Sequence, residues 1–223
     1  MNFALKAGGK RMDEHLLRFD KEKELVFIDC ETFNLCLHSC HNLPWQIAMI
    51  KVKGGRIIDS KDFYIKWDTH LKISKEAAII TKFSQSKLDK VGVAPEEIFP
   101  TVEDWLDNSD HILGHNLLGF DIYLIKSFYD YMGKDYSPLV NKVIDTLSLG
   151  RGLAHEVKYN PDDCFMEYQY RMIHKLKRGV RTTLKAMGES FDIPHDYDKL
   201  HNALVDLELN VKVWDKLKWK FEI

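Results

Sequence analysis

Long hydrophobic runs are missing from this sequence of 223 residues. No uncharged apolar stretch approaches the roughly 20 residues a membrane-spanning helix needs, so no membrane partner is expected. Residues 1–20 carry a charge every few positions and have no apolar segment of their own, so they do not read as a secretory signal. Cysteine is scarce: four in a chain of this size do not make a disulfide framework, which points to a reducing, cytoplasmic setting. An excess of one charge is lacking too, with a formal net charge of −2. A nucleic-acid ligand would therefore need basic residues concentrated locally. The sequence has no GxGxxG, P-loop, Ser/His/Asp or zinc-protease motif to support those enzyme classes, and no internal repeat or low-complexity linker.

What is present is an ordinary globular composition, 45% apolar and 30% charged, long enough for one sizeable core. A single domain over 1–223 is expected, with 1–24 as an N-terminal extension and the motif-bearing core at about 25–214. Leu25-Val26-Phe27-Ile28 reads as a buried strand ending in acids. Gln46–Val52, Gly54-Gly55 and Arg56–Ile65 read as a hairpin. Further strands are expected at His111–His115 and Val143-Ile144. Helices are expected from Ser74 to about Lys90, from Pro95 with a kink or restart at Pro100, and through Leu124, Phe128 and Met132 to a stop at Gly133. Two more run from Thr182 to Met187 with Gly188 as a stop, and from Leu200 to Leu217. The order predicts an α/β fold with a central mixed β-sheet flanked by α-helices.

Three acidic elements carry the chemistry. Asp29-Cys30-Glu31 follows the apolar run; with period two, both carboxylates point to one side and Cys30 to the other. Such a pair repels itself unless a cation joins it, and hard divalent cations prefer oxygen donors. His115-Asn116-Leu117-Leu118-Gly119-Phe120-Asp121 leads from a strand into a helix, with Asp121 in the first turn. His201-Asn202-Ala203-Leu204-Val205-Asp206 opens the last helix. Taken singly, each has a bland reading as a solvated strand end or a helix-capping acid.

Taken in order, Asp29-x-Glu31, Asn116-x-x-x-Phe120-Asp121 and His201-x-x-x-x-Asp206 resemble the three motifs of the DEDDh exonucleases. Those include proofreading epsilon-type (DnaQ-like) subunits, RNase T and oligoribonucleases, on an RNase H-like fold. The resemblance spans about Leu25 to Trp214, and Ile144-Asp145-Thr146-Leu147 matches the family's Asp-Thr-Leu segment. The tyrosine variant would need Tyr where Asn202 stands; His201 is the histidine variant's residue. Glu31-Thr32-Phe33-Asn34 departs from the usual Glu-Thr-Thr-Gly, and Gly119 lengthens the middle motif by one residue relative to several epsilon-type members.

The resemblance implies a 3′→5′ exonuclease that uses two divalent cations, Mg²⁺ or Mn²⁺, held by Asp29, Glu31, Asp121 and Asp206, with His201 as general base. It also implies that Thr32, Phe33 and Leu35 contact the terminal nucleotide, beside Asn116. The expected substrate is single-stranded DNA or DNA 3′ ends, with a polymerase or replication partner; the alternatives are an RNA-directed enzyme and a silent nucleic-acid-binding module. Tyr168 to Gly188 holds six basic residues and no acid (Arg171, Lys175, Lys177, Arg178, Arg181, Lys185), with Tyr168 and Tyr170 at its start. That combination suits a phosphate backbone and stacked bases. Cys36, His38, Cys40 and His41 form a soft-ligand cluster that lacks the usual distant second pair of a zinc site. His115 and Asp145 read as structural, each hydrogen-bonded locally.

Overall fold

The computed structural model describes residues 16–37, 42–68 and 71–223. The apolar run before Asp29 becomes the central strand, β1 (Glu24–Thr32). It pairs antiparallel with β2 (Pro44–Lys53), which pairs antiparallel with β3 (Arg56–Tyr64). The turn between β2 and β3 holds Gly54 and Gly55 at φ +58° and +76°, the left-handed angles a two-residue hairpin turn requires. On its other side β1 runs parallel to β4 (His111–Gly114), which runs parallel to β5 (Val143–Asp145). The sheet order is β3-β2-β1-β4-β5, a mixed sheet as expected.

The helices follow in the order α1 (Lys75–Ile80), α2 (Gln85–Val91), α3 (Pro95–Asn108), α4 (Asp121–Tyr131), α5 (Ser137–Val140), α6 (Thr146–Ala154), α7 (Phe165–Ile173), α8 (Leu184–Ser190) and α9 (Ala203–Leu217). Alternation along β1 divides them between two faces. Val26, Ile28 and Cys30 pack into a core with Trp105 of α3 and Phe128 of α4. Leu25 and Phe27 pack into the opposite core with Leu149 of α6, Met172 of α7 and Leu207 and Trp214 of α9. Among the described residues no helix is long and apolar enough to cross a membrane.

Three helix boundaries differ from expectation. The helix expected from Ser74 to about Lys90 is two, because Ser84 accepts from Lys87 N as a second N-cap and Lys82 turns left-handed at φ +51°. Pro100 does not restart α3, which runs unbroken from Pro95 to Asn108. It removes only the hydrogen bond to the Glu96 carbonyl, in the exposed first turn where water can replace it. Gly188 lies inside α8 instead of stopping it. A Cβ there would come within 2.7 Å of the Tyr197 hydroxyl and 2.9 Å of a Leu209 methyl, so the glycine lets α8 approach α9.

Candidate active site

On β1 the stripe that begins as Leu25 and Phe27 continues as Asp29 and Glu31 on the same face. That face is covered by α9, whose first turn carries Asp206. The result is a group of three acids, Asp29, Glu31 and Asp206, with one carboxylate oxygen from each within 4.8 Å of the others. Burial pushes the Asp29 carboxyl well above its ordinary range, helped by the charges of Asp121, Glu31 and Asp206. Burial and the same kind of repulsion push Glu31 up to about 8, and burial pushes Asp206 up to about 6. Oxygen donors crowded this closely, each disfavoured as an anion, fit a divalent cation that neutralises them.

Asp121 stands beside this group. It opens α4, is 5% exposed, and its Oδ1 accepts from the Cys30 N–H at 3.0 Å. Burial pushes it up to about 7. Cys30 N lies between the two acids of β1, so this bond sets Asp121 against the same strand end. His201 precedes the Asn202 N-cap of α9 at φ +66° and is exposed. Its backbone N–H donates to both oxygens of Asp206, at 3.3 and 3.1 Å. Asp29, His201, Asp206, His115, Lys82 and Lys185 line one cleft of about 590 Å³.

Asp145, the N-cap of α6, holds the loop that leads to Asp121. Its carboxylate accepts from Asn116 N at 3.3 Å, Leu118 N at 2.9 Å and Ser148 N at 3.1 Å. Asn116 sits left-handed at φ +67°, a conformation asparagine tolerates. A Cβ at Gly119 would lie 2.3 Å from Asn116 Oδ1, so a larger residue there would displace the Asn116 side chain. His115 Nδ1 lies 3.2 Å from Thr146 Oγ1, and burial pushes the ring down to about 4, leaving it neutral at ordinary pH.

The expected substrate residues fall into two sets. Thr32 is 2% exposed and its hydroxyl bonds Asn42 and the Asn34 carbonyl. Phe33 is buried with Leu43, Trp45, Tyr64 and Leu88. Of Thr32, Phe33 and Leu35, only Leu35 is exposed. Tyr168 is also buried, its hydroxyl on the Val157 carbonyl at 2.9 Å, so it offers no face for a base; Arg171 lies over its ring. Lys175, Lys177 and Arg181 do line a second cleft, about 420 Å³, with His115 and Asn116; no acidic residue lines it. Arg178 is exposed on the same loop. That cleft shares His115, Thr183 and Leu184 with the acidic one.

Two residues in these walls carry no sequence signal. Arg151 of α6 fastens the basic loop at both ends, donating to the Ile173 carbonyl and to Thr182 Oγ1. Lys82 comes from the break between α1 and α2, which periodicity does not reveal. Of the soft-ligand cluster, His38, Cys40 and His41 lie outside the described residues.

The sequence profile of the RNase_T exonuclease family matches residues 26–214, which hold every acid of the site. The chain belongs to that exonuclease family. The class expected from the motifs, a DEDDh-type 3′→5′ exonuclease, is the one this match supports. The chain is similar to the PolC-type DNA polymerase III of Mycoplasma pneumoniae, 27% identical over 203 residues, covering 91% of this chain and 12% of that protein. It is 32% identical over 139 residues to the PolC-type polymerase of Bacillus cereus, covering 61% of this chain and 9% of that one. The exonuclease chain thus spans about a tenth of the length of these relatives. Among solved structures it matches E. coli exonuclease I in complex with a dT13 oligonucleotide, with a TM-score of 0.69 and 19% identity over 88% of this chain and 41% of that one. A zinc-bound form of E. coli exonuclease I with single-stranded DNA matches with a TM-score of 0.70 and 19% identity, covering 89% of this chain and 41% of that one. These matches bear out the expected fold.

Proposed function

We propose that this chain is a 3′→5′ exonuclease acting on DNA, single-stranded or at 3′ ends, and releasing nucleoside 5′-monophosphates. The observation that carries the reading is the meeting of Asp29 and Glu31 from β1 with Asp206 from α9, beside Asp121 and under His201. Asp29, Glu31, Asp121 and Asp206 hold two divalent cations, Mg²⁺ or Mn²⁺. Bound there, the cations supply charge neutralisation to the attacking and leaving oxygens of an in-line displacement. His201 accepts the proton of the attacking water as general base. The phosphodiester P–O bond to the 3′ oxygen breaks, the water oxygen joins phosphorus, and the shortened strand leaves with a new 3′-hydroxyl. Lys175, Lys177, Arg178 and Arg181 meet the backbone phosphates upstream of the last nucleotide.

DNA is the preferred substrate because the relatives are DNA polymerases and the matched structures hold DNA oligonucleotides. The same relatives support a polymerase or replication partner, and the scarcity of cysteine supports a cytoplasmic setting. The catalytic core occupies about residues 25–214, with 1–24 as an extension. The test is incubation with Mg²⁺ or Mn²⁺ and four 5′-labelled substrates: single- and double-stranded DNA and RNA. A ladder shortening from the 3′ end of DNA, abolished by EDTA and weakened in His201→Ala, is expected. Preferential cleavage of RNA would reassign the substrate, and tight binding without cleavage of any substrate would leave a silent binding module.

A further inference from the structure

Two residues other than glycine at left-handed angles meet at the mouth of the acidic cleft. Lys82 has φ +51° and His201 has φ +66°. They are 119 positions apart in sequence and joined by one contact: Lys82 Nζ donates to the Leu200 carbonyl at 2.9 Å. That carbonyl belongs to the same peptide group as the His201 N–H, which donates to the Asp206 carboxylate at 3.1 and 3.3 Å. The Leu200–His201 peptide is therefore held on both sides, its oxygen by a lysine ammonium and its N–H by a carboxylate. Because the peptide group is planar, fixing its two ends fixes its plane and the His201 N–Cα bond that lies in it, from which the side chain departs at φ +66°.

The break between α1 and α2 makes this contact possible. A helix continuous from Ser74 to Lys90 would carry residue 82 as one more helical position. Instead Thr81 closes α1, Ser84 starts α2, and the left-handed corner between them directs Lys82 across the cleft. A lysine at φ +51° is strained, and asparagine or glycine would sit there more easily. The backbone thus favours other residues at this corner, while the hydrogen bond needs a long cationic donor. Lys82 lines the same cleft as Asp29, His201 and Asp206. Its charge is close enough to draw the Asp206 pKa down against the larger effect of burial.

We infer that Lys82 is a positioning residue of the exonuclease reaction: by gripping the Leu200 carbonyl it orients the peptide that carries His201, and so aims the imidazole at the water. This rests on the proposed exonuclease reading. The test compares kcat and KM of wild type, Lys82→Gly, His201→Ala and the double variant on 5′-labelled single-stranded DNA with Mg²⁺. Glycine keeps the left-handed corner without strain, so a folded protein with an unchanged melting temperature is expected. If Lys82→Gly melts early, Lys82→Asn, which tolerates the same backbone but cannot reach Leu200, carries the same measurement.

Lys82→Gly should lower kcat about tenfold, the scale of one charge-assisted hydrogen bond, and leave KM within about twofold. In the His201→Ala background the same change should lower kcat less than about twofold, since residues acting as a unit are not additive. Two outcomes overturn the inference: an equal tenfold loss in both backgrounds, or a rise in KM with kcat intact, which would make Lys82 a substrate contact. A wild type that cleaves no substrate would instead sink the exonuclease reading, so the two failures are distinguishable.

Discussion

Replacing Glu31 by glutamine removes one negative charge from a site where Asp29 and Asp206 lie within 4.8 Å while changing the side chain's shape very little. In the folded chain Glu31 is 9% exposed, and burial and neighbouring charge raise its pKa from 4.5 to about 8. The unfolded chain keeps the ordinary value. An acid whose pKa is raised by folding contributes stability that is fully present below the unfolded value and is lost as pH climbs through the folded one. At pH 8.5 without metal the loss has a ceiling of about 5 kcal/mol, at about 1.4 kcal/mol per pH unit between the two values. Relaxation of the neighbouring acids and water in the open cleft reduce this to about 2–3 kcal/mol. For a chain of this size that is a shift of about 5–10 °C in melting temperature.

Glu31→Gln should therefore melt higher than wild type in EDTA at pH 8.5, and within about 2 °C of it at pH 5. With 10 mM Mg²⁺ at pH 8.5 the order should reverse, because wild type gains a bound cation that the variant holds poorly. The assay is differential scanning calorimetry of both proteins at the two pH values, with and without metal. Equal melting temperatures in EDTA at pH 8.5 would refute the claim that crowded, buried carboxylates oppose folding in the absence of a cation.

Asp29→Asn and Asp206→Ala should abolish cleavage while DNA binding in Ca²⁺ survives, as gel-shift and cleavage assays will show; normal turnover in either would sink the metal assignment. His201→Ala should lower kcat by about 10²–10⁴ with little change in KM, the span of general-base catalysis, read from single-turnover kinetics. Lys175→Ala and Arg181→Ala should each weaken DNA binding and lower the slope of log K against log salt by about one; slopes that stay put would place the basic loop off the strand. Asp145→Ala should cost about 2–4 kcal/mol of stability in urea melts, since it strands the buried Leu118 and Ser148 N–H groups together with the half-buried Asn116 N–H.

Asp29 and Glu31 were legible as a pair because strand periodicity is a short-range rule: an apolar run ending in Asp-x-Glu puts both carboxylates on one face whatever the rest of the chain does, while Asp121 and Asp206 were joined to them by the family resemblance. The central sheet was legible for the same reason. Gly188 and the break at Lys82 were not, because each answers to a partner far along the chain. Gly188 makes room for Tyr197 and Leu209, and Lys82 reaches Leu200. Thr32, Phe33 and Tyr168 show the same limit: the family resemblance suggested substrate contact for the first two and the basic stretch for the third, while Asn42, the Trp45 cluster and Val157 engage them internally. A local pattern says which way a side chain points along its own element, and nothing about what a distant element brings to meet it.

The split of the acids between β1 and α9 has a consequence for when the site comes into being. Until α9 docks, Phe27, Ala48 and Ile50 lack the helix that covers them, and Asp206 and His201 are away from Asp29 and Glu31. Closing the apolar face and completing the acid set are a single event, so a half-folded chain has no means of cutting the nucleic acid around it. That event also brings a third negative charge against two others, and a divalent cation favours it by offsetting the repulsion. The ion that the reaction uses is in this way also a ligand for the last step of folding, and chelation should loosen α9 before it loosens the sheet, an order that hydrogen exchange can follow.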